Sequence, residues 1–232
     1  FNSAAKVFYM SGGQFNCPIV FRGPVGAALQ LSAQHSQALE AIYTHFPGIK
    51  TVAPATPADA KGLLKAAIRD DDPVVVLEGE LLYALKGEVP DDPDFVVPLG
   101  VAEVKKEGSD VSIITHGKMV HVALQAASRL EKDGVKAEVL DLRSLRPLDT
   151  EAITATIRKT NRAVYLEEGW AYGGIGAQIV SLIQEELFDD LDAPVLRVTQ
   201  ADTPMPYNKG LEKLAKPSAE RVVEACNRVL YR

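Results

Sequence analysis

Short apolar runs alternate along this chain with longer stretches in which apolar residues return every three or four positions. Residues 1–10 carry Ala4, Ala5, Phe8 and Tyr9 at helical spacing from the outset, which predicts a helix entered from within. The apolar run 18–22 predicts a strand that stops at Gly23-Pro24, a pair that punctuates regular structure. A Gly- and Ala-rich loop follows, and Leu39, Ile42, Tyr43 and Phe46 then share one face of a helix predicted over 36–45. Residues 50–53 form a short strand. Thr56-Pro57-Ala58-Asp59 supplies an N-cap hydroxyl, a proline at the first helical position and an acid in the first turn. A helix should therefore open there and run to about Arg69. Val74-Val75-Val76-Leu77 is continuously apolar, as in a parallel strand covered on both faces.

Periodicity fails between Glu78 and Pro98, where Gly79, Gly87, Pro90 and Pro93 sit among acids, and this stretch reads as a linker. A second series follows it. Strands are predicted at 111–115, 137–142, 163–167 and 195–198, and helices at 119–132, 149–159, 173–187 and 218–230. Strands alternating with helices twice over imply two α/β units, 1–98 and 99–232, with doubly wound, mainly parallel sheets.

Composition narrows the function classes. The 232 residues are 47% hydrophobic and 24% charged, which suits a globular protein with a sizeable core. A net charge of −6 and the lack of any basic run argue against a nucleic-acid partner or attraction to a membrane surface. No apolar stretch approaches the ~18 residues needed to span a bilayer, so a soluble protein is expected. Cys17 and Cys226 are far apart and lack metal-ligand spacing, and they read as two ordinary thiols in a reducing compartment.

Candidate chemistry is sparse. Gly173-Gly174-Ile175-Gly176 follows a strand and opens a helix, where backbone N–H groups can cradle an anion. It lacks the full GxGxxG pattern, and the alternative is a tight turn with close helix packing. His35, in Ala33-Gln34-His35-Ser36-Gln37, has an imidazole suited to acid, base or donor work; the alternative is a histidine at a helix start with local hydrogen bonds. His116 and His121 have no partner at ligand spacing and read as structural or exposed. Asp70-Asp71-Asp72-Pro73 offers oxygen ligands without calcium-loop spacing, and is otherwise a solvated helix end. Arg143 and Arg146, three apart before a proline, suit an ion pair or an acidic partner. These residues alone disclose no nucleophile, triad or metal cage.

Taken together, several stretches are more informative. Lys6-Val7-Phe8-Tyr9-Met10-Ser11-Gly12-Gly13, Ile19-Val20-Phe21-Arg22-Gly23-Pro24, Ala33-Gln34-His35-Ser36-Gln37, Asp59-Ala60-Lys61-Gly62-Leu63 and Asp141-Leu142-Arg143-Ser144-Leu145-Arg146-Pro147 resemble the beta subunits of the pyruvate dehydrogenase decarboxylating component. Glu167-Glu168-Gly169-Trp170 and Ala201-Asp202-Thr203-Pro204-Met205-Pro206-Tyr207 extend the likeness to essentially the whole chain.

The resemblance implies a transketolase-like fold, an incomplete pyrimidine-binding domain followed by a C-terminal domain. It also implies thiamine diphosphate with magnesium, shared with an alpha subunit in an alpha2beta2 heterotetramer, and oxidative decarboxylation of pyruvate with acetyl transfer to lipoyl-lysine. The family's pyrimidine-activating glutamate is expected before Phe1, so the chain alone is expected to be inactive. His35 matches the family's active-site histidine. Ile19, Ala67, Ile68, Asp70 and Asp72 match a potassium site built mostly from main-chain carbonyls, with Asp72 where some members carry asparagine. Asp192 matches an acid that meets the subunit-binding domain of the dihydrolipoyl acyltransferase, whose lipoyl domain is a further expected partner. The implied compartment is the bacterial cytoplasm, or a mitochondrial matrix or plastid. Alternatives left open are a branched-chain 2-oxo-acid or acetoin dehydrogenase beta subunit, or a non-catalytic docking fragment.

Overall fold

The computed structural model describes residues 1–232. Its first half runs α1 (Asn2–Met10), β1 (Val20–Val25), α2 (Ser32–His35), α3 (Glu40–His45), β2 (Lys50–Val52), α4 (Pro57–Ile68) and β3 (Val74–Gly79). A long connection without α-helix or strand leads to β4 (Glu103–Lys106), β5 (Val111–Thr115), α5 (Met119–Lys132), β6 (Ala137–Asp141), β7 (Ser144–Arg146) and α6 (Thr150–Thr160). The chain closes with β8 (Ala163–Trp170), α7 (Ile175–Glu186), β9 (Leu196–Gln200), α8 (Lys209–Ala215) and α9 (Ala219–Val229).

The strands form two sheets, ordered β1-β3-β2-β7 and β4-β6-β5-β8-β9. All pairings are parallel except β2 with β7 and β4 with β6, so this is the mainly parallel α/β class. Local chemistry starts several elements. The Thr56 hydroxyl accepts from Asp59 N–H at the head of α4, with Pro57 in the first turn. Asp149 caps α6 and Ser218 caps α9 in the same way.

Side chains alternate across each strand and sort the core into layers. Val74 and Val76 pack with Leu63 and Ala67 of α4. Val75 and Leu77 point the other way, into a core that also holds Ile114, Leu140, Tyr165, Ile153 and Ile179 from the second half. That shared layer joins the two sheets. On the far face of the second sheet, Ile113, Val139 and Val164 meet Ala123, Leu130, Val222 and Cys226 of α5 and α9.

Three features depart from the sequence reading. Strand β1 runs through Gly23-Pro24 to Val25 instead of stopping there. It is an edge strand bonded only to β3, and at an edge the N–H that proline lacks is not needed for a second ladder. The helix expected over 36–45 begins only at Glu40, after a separate short helix at 32–35 that the sequence did not suggest, because the Gln37 carbonyl accepts from Gly26 N–H at 2.8 Å and is withdrawn from a helical ladder. Strands β4 and β7 and helix α8 were unanticipated. The two strands are short sheet edges without apolar alternation, and α8 is only seven residues long.

Candidate functional site

Strand β1 delivers the chain at its carboxyl end into the loop 26–37, the end of a parallel sheet at which ligands bind. The loop is closed at its base by the Gly26–Gln37 hydrogen bond. Gln37 Nε2 also donates to the Ala33 carbonyl at 2.5 Å. His35 is the last residue of α2 and is exposed, so it sits at a helix end and not at the helix start considered from spacing.

The loop is held by groups from the second half of the chain. Glu168 Oε1 accepts from Ala27 N–H at 2.9 Å, and its Oε2 lies 2.7 Å from Lys118 Nζ. Lys118 in turn donates to the Ala27 carbonyl. Burial pushes the Glu168 carboxyl above its ordinary pKa, with Lys118 and Ala27 N–H opposing. Farther along, Glu212 Oε2 accepts from Gln30 N–H at 2.9 Å, and Gln30 Nε2 reaches the Tyr207 carbonyl.

Behind this clamp lies a second buried polar group. His116 Nδ1 is 2.9 Å from the Tyr165 hydroxyl, and its Nε2 is 3.9 Å from Glu40 Oε1. Burial works against a charged His116, but Glu40, helped by Glu167 and Asp141, raises its pKa overall. Glu167 answers the question posed by the glycine run. Its Oε1 accepts from Gly176 N–H at 3.0 Å, and a Cβ on Gly174 would come within 2.7 Å of the same oxygen. The anion at the N-terminus of α7 is therefore the chain's own carboxylate, and the glycines make room for it.

The other singled-out charges are also paired internally. Arg143 lies 3.3 Å from Asp59 and 3.2 Å from Glu103, while Lys105 lies 3.1 Å from Asp59. Burial opposes ionisation of Asp59, yet the Thr56 hydroxyl, Lys105 and Arg143 hold its pKa below the ordinary value. Together they pin α4 to β4 and to the turn after β6. These residues, with His121 and Phe95, line a cleft of ≈ 700 Å³. His121 itself contacts the Ala55 carbonyl at 2.8 Å. Arg146 donates to the Thr44 carbonyl, again tying the two halves together.

The acidic run 70–72 curls around a lysine. Lys50 Nζ is 2.8 Å from Asp70 and 3.1 Å from Asp72. The Ile19 carbonyl accepts from Val74 N–H and the Ala67 carbonyl from Asp70 N–H, leaving each a second lone pair. The five residues matched to a potassium site thus come from the N-terminal side of β1, the C-terminus of α4 and the turn that follows it. No cluster of three or more His, Cys, Asp or Glu side chains is placed to hold a metal ion. Asp192 lies elsewhere, half-exposed beside Arg162 at 2.7 Å. Both cysteines are free thiols.

Sequence reasoning missed the Glu168–Lys118 pair and the Glu40–His116–Tyr165 group. Their one sequence signal was Glu167-Glu168, two acids continuing a strand whose preceding residues are all apolar.

Comparison with known proteins places this geometry. Residues 1–86 match the transketolase pyrimidine-binding domain and residues 100–222 the transketolase C-terminal domain, so the class is that of transketolase-like α/β proteins. The chain is 51% identical over 230 residues to the pyruvate dehydrogenase E1 component subunit beta of Rickettsia felis, covering 99% of the chain and 70% of that protein. It is 54% identical over 235 residues to the mitochondrial subunit beta-1 of Oryza sativa subsp. japonica, covering all of the chain and 63% of that protein. The chain belongs to the family of pyruvate dehydrogenase E1 beta subunits. Among solved structures, a split-gene transketolase described as an inactive beta4 tetramer superposes with a TM-score of 0.75 at 28% identity, over 99% of this chain and 73% of that one.

Proposed function

We propose that, paired with an alpha subunit in an alpha2beta2 heterotetramer, the protein performs oxidative decarboxylation of pyruvate and passes the acetyl group to lipoyl-lysine of the dihydrolipoyl acyltransferase. The observation that carries this is the 51% identity to a pyruvate dehydrogenase beta subunit through both halves of the chain. Thiamine diphosphate, when bound, supplies the electron sink for decarboxylation. The exposed His35 on a loop at the carboxyl end of β1 fits a place beside it. There the imidazole serves as acid and hydrogen-bond donor toward the lipoyl group. The alpha subunit holds the diphosphate and its magnesium, and the unit 1–98 faces the aminopyrimidine, with 99–232 as the second domain.

Two further sites belong to this reading. Main-chain oxygens of Ile19, Ala67, Ile68, Asp70 and Asp72 hold a potassium ion that braces the first unit, a reading supported by the spare lone pairs of the Ile19 and Ala67 carbonyls. Asp192 receives a basic group of the acyltransferase subunit-binding domain, which competes with Arg162 for its carboxylate. Relatives named for bacteria and for mitochondria support the cytoplasm or the mitochondrial matrix as the working compartment. No helix is long and apolar enough to cross a membrane.

The beta chain by itself is inactive in this account, and the inactive beta4 tetramer of the split-gene transketolase is consistent with that. Titration calorimetry with thiamine diphosphate and magnesium tests the division of labour. Binding to the alpha/beta assembly and none to the beta chain alone is expected; tight binding to the beta chain alone would overturn it.

A further inference from the structure

We propose that Lys118 and Glu168 are positioning residues for His35, acting as one ionic clamp that fixes the loop 26–37 through both polar groups of Ala27. The inference rests on the reading of His35 given above.

The clamp is built from two elements remote from the loop in sequence. Lys118 stands at the N-cap position of α5 and Glu168 lies in β8. Their side chains are only 10% and 4% exposed, so both charges have been taken out of water. Burying an ion pair rarely adds stability over an apolar pair of the same size, because desolvation offsets the attraction. What this pair gains is geometry. Glu168 takes the N–H of Ala27 and Lys118 takes its carbonyl, so the peptide groups on either side of Ala27 are set by the second half of the chain.

The surroundings remove the remaining freedom at this end of the loop. Ala27 is itself buried, and Gly26 adopts φ +75°. A Cβ at Gly26 would stand 2.0 Å from Glu168 Oε2, so only glycine lets the carboxylate approach. The Gly26–Gln37 hydrogen bond passes this constraint to the residue two beyond His35. Glu212, through Gln30 N–H, secures the middle of the loop. His35 lies between these anchors on a helix too short to orient itself, and takes its orientation from the clamp.

The test uses the complete alpha/beta assembly with Glu168→Gln, Lys118→Met, the double variant and Lys118→Arg. Acetylation of a lipoyl domain and decarboxylation with an artificial electron acceptor are measured in parallel, with amide hydrogen exchange across residues 26–37. Each single variant should lower kcat for acetylation by about tenfold and leave decarboxylation within about twofold. The double variant should be no worse than either single, and Lys118→Arg should keep most of the acetylation rate. Exchange should rise selectively in the loop. Unchanged loop exchange in both single variants, or equal losses in the two assays, overturns the clamp. His35→Ala run alongside separates the two ideas. If it spares acetylation while the clamp variants still loosen the loop, the reading of His35 fails and the clamp stands as a loop anchor.

Discussion

Gly26 and Glu168 fit together so closely that the carboxylate Oε2 occupies the space where any side chain at position 26 would begin, 2.0 Å from an ideal Cβ. Gly26→Ala therefore forces a left-handed backbone on alanine and drives a methyl group into a buried ion pair. It should destabilise the protein by roughly 2–4 kcal/mol. Denaturant unfolding of the assembly measures this, and a change under about 0.5 kcal/mol, the size of an ordinary surface substitution, would show that the contact is not rigid.

His35→Ala removes the imidazole at the carboxyl end of β1 without touching the core, because the residue is exposed. In the complete assembly, acetyl transfer to a lipoyl domain should fall by about 100-fold. Decarboxylation coupled to an artificial electron acceptor should change by less than about threefold. Equal losses in the two assays would assign His35 a general role in binding or folding instead.

Asp141 provides a pH signature. Its carboxyl is pushed up to about 7, chiefly by burial, with Asp59 adding to the effect and Lys105 and the Arg143 N–H opposing it. A carboxyl whose folded pKa is raised contributes stability that is complete below the unfolded value near 4. That contribution is lost as pH rises through about 7. Asp141→Asn keeps an acceptor for the Arg143 N–H, now 3.0 Å away, while removing the titration. The variant's stability relative to the parent should therefore rise between about pH 5 and about pH 8, by on the order of 2 kcal/mol. Chemical denaturation at the two pH values decides it; the same effect at both would contradict the assignment.

How much of this was legible in sequence depends on the range of the interactions. Helix α4 was readable to within a residue because its signals, Thr56, Pro57 and Asp59, are local. The bounds of α5 were readable from periodicity alone, since one face of the helix is buried along its whole length. The clamp was not legible: Ala27 and Glu168 are 141 positions apart, and the hydrogen bond goes to backbone, which carries no side-chain signature. Glu40 and His116 fall in separate halves for the same reason. Spacing alone left His35 undecided, and only the family resemblance drew it out, because an exposed side chain leaves no trace in a hydrophobic pattern. The glycine run at 173–176 could be read as an anion cradle or as a packing device. Its occupant, Glu167, became evident only once the strand before it was placed.

Asp192 carries the docking prediction. Its carboxylate is about half-exposed and pairs with Arg162, so reversing its charge disturbs the fold little, by under about 1 kcal/mol. Asp192→Arg should instead weaken binding of the basic subunit-binding domain of the acyltransferase by about tenfold or more. Sedimentation of the assembly with the acyltransferase core measures this, and undiminished co-sedimentation would move the docking site elsewhere.

The protein should be assembled with an alpha subunit, thiamine diphosphate and magnesium. Its kcat/KM is then compared for pyruvate, a branched-chain 2-oxo acid and acetoin, with a lipoyl domain as acceptor. Pyruvate should be preferred by at least about 100-fold, within the range by which an apolar pocket discriminates between substrates differing in side-chain size. Turnover of the branched-chain acid or acetoin at a rate equal to or above that of pyruvate would contradict it.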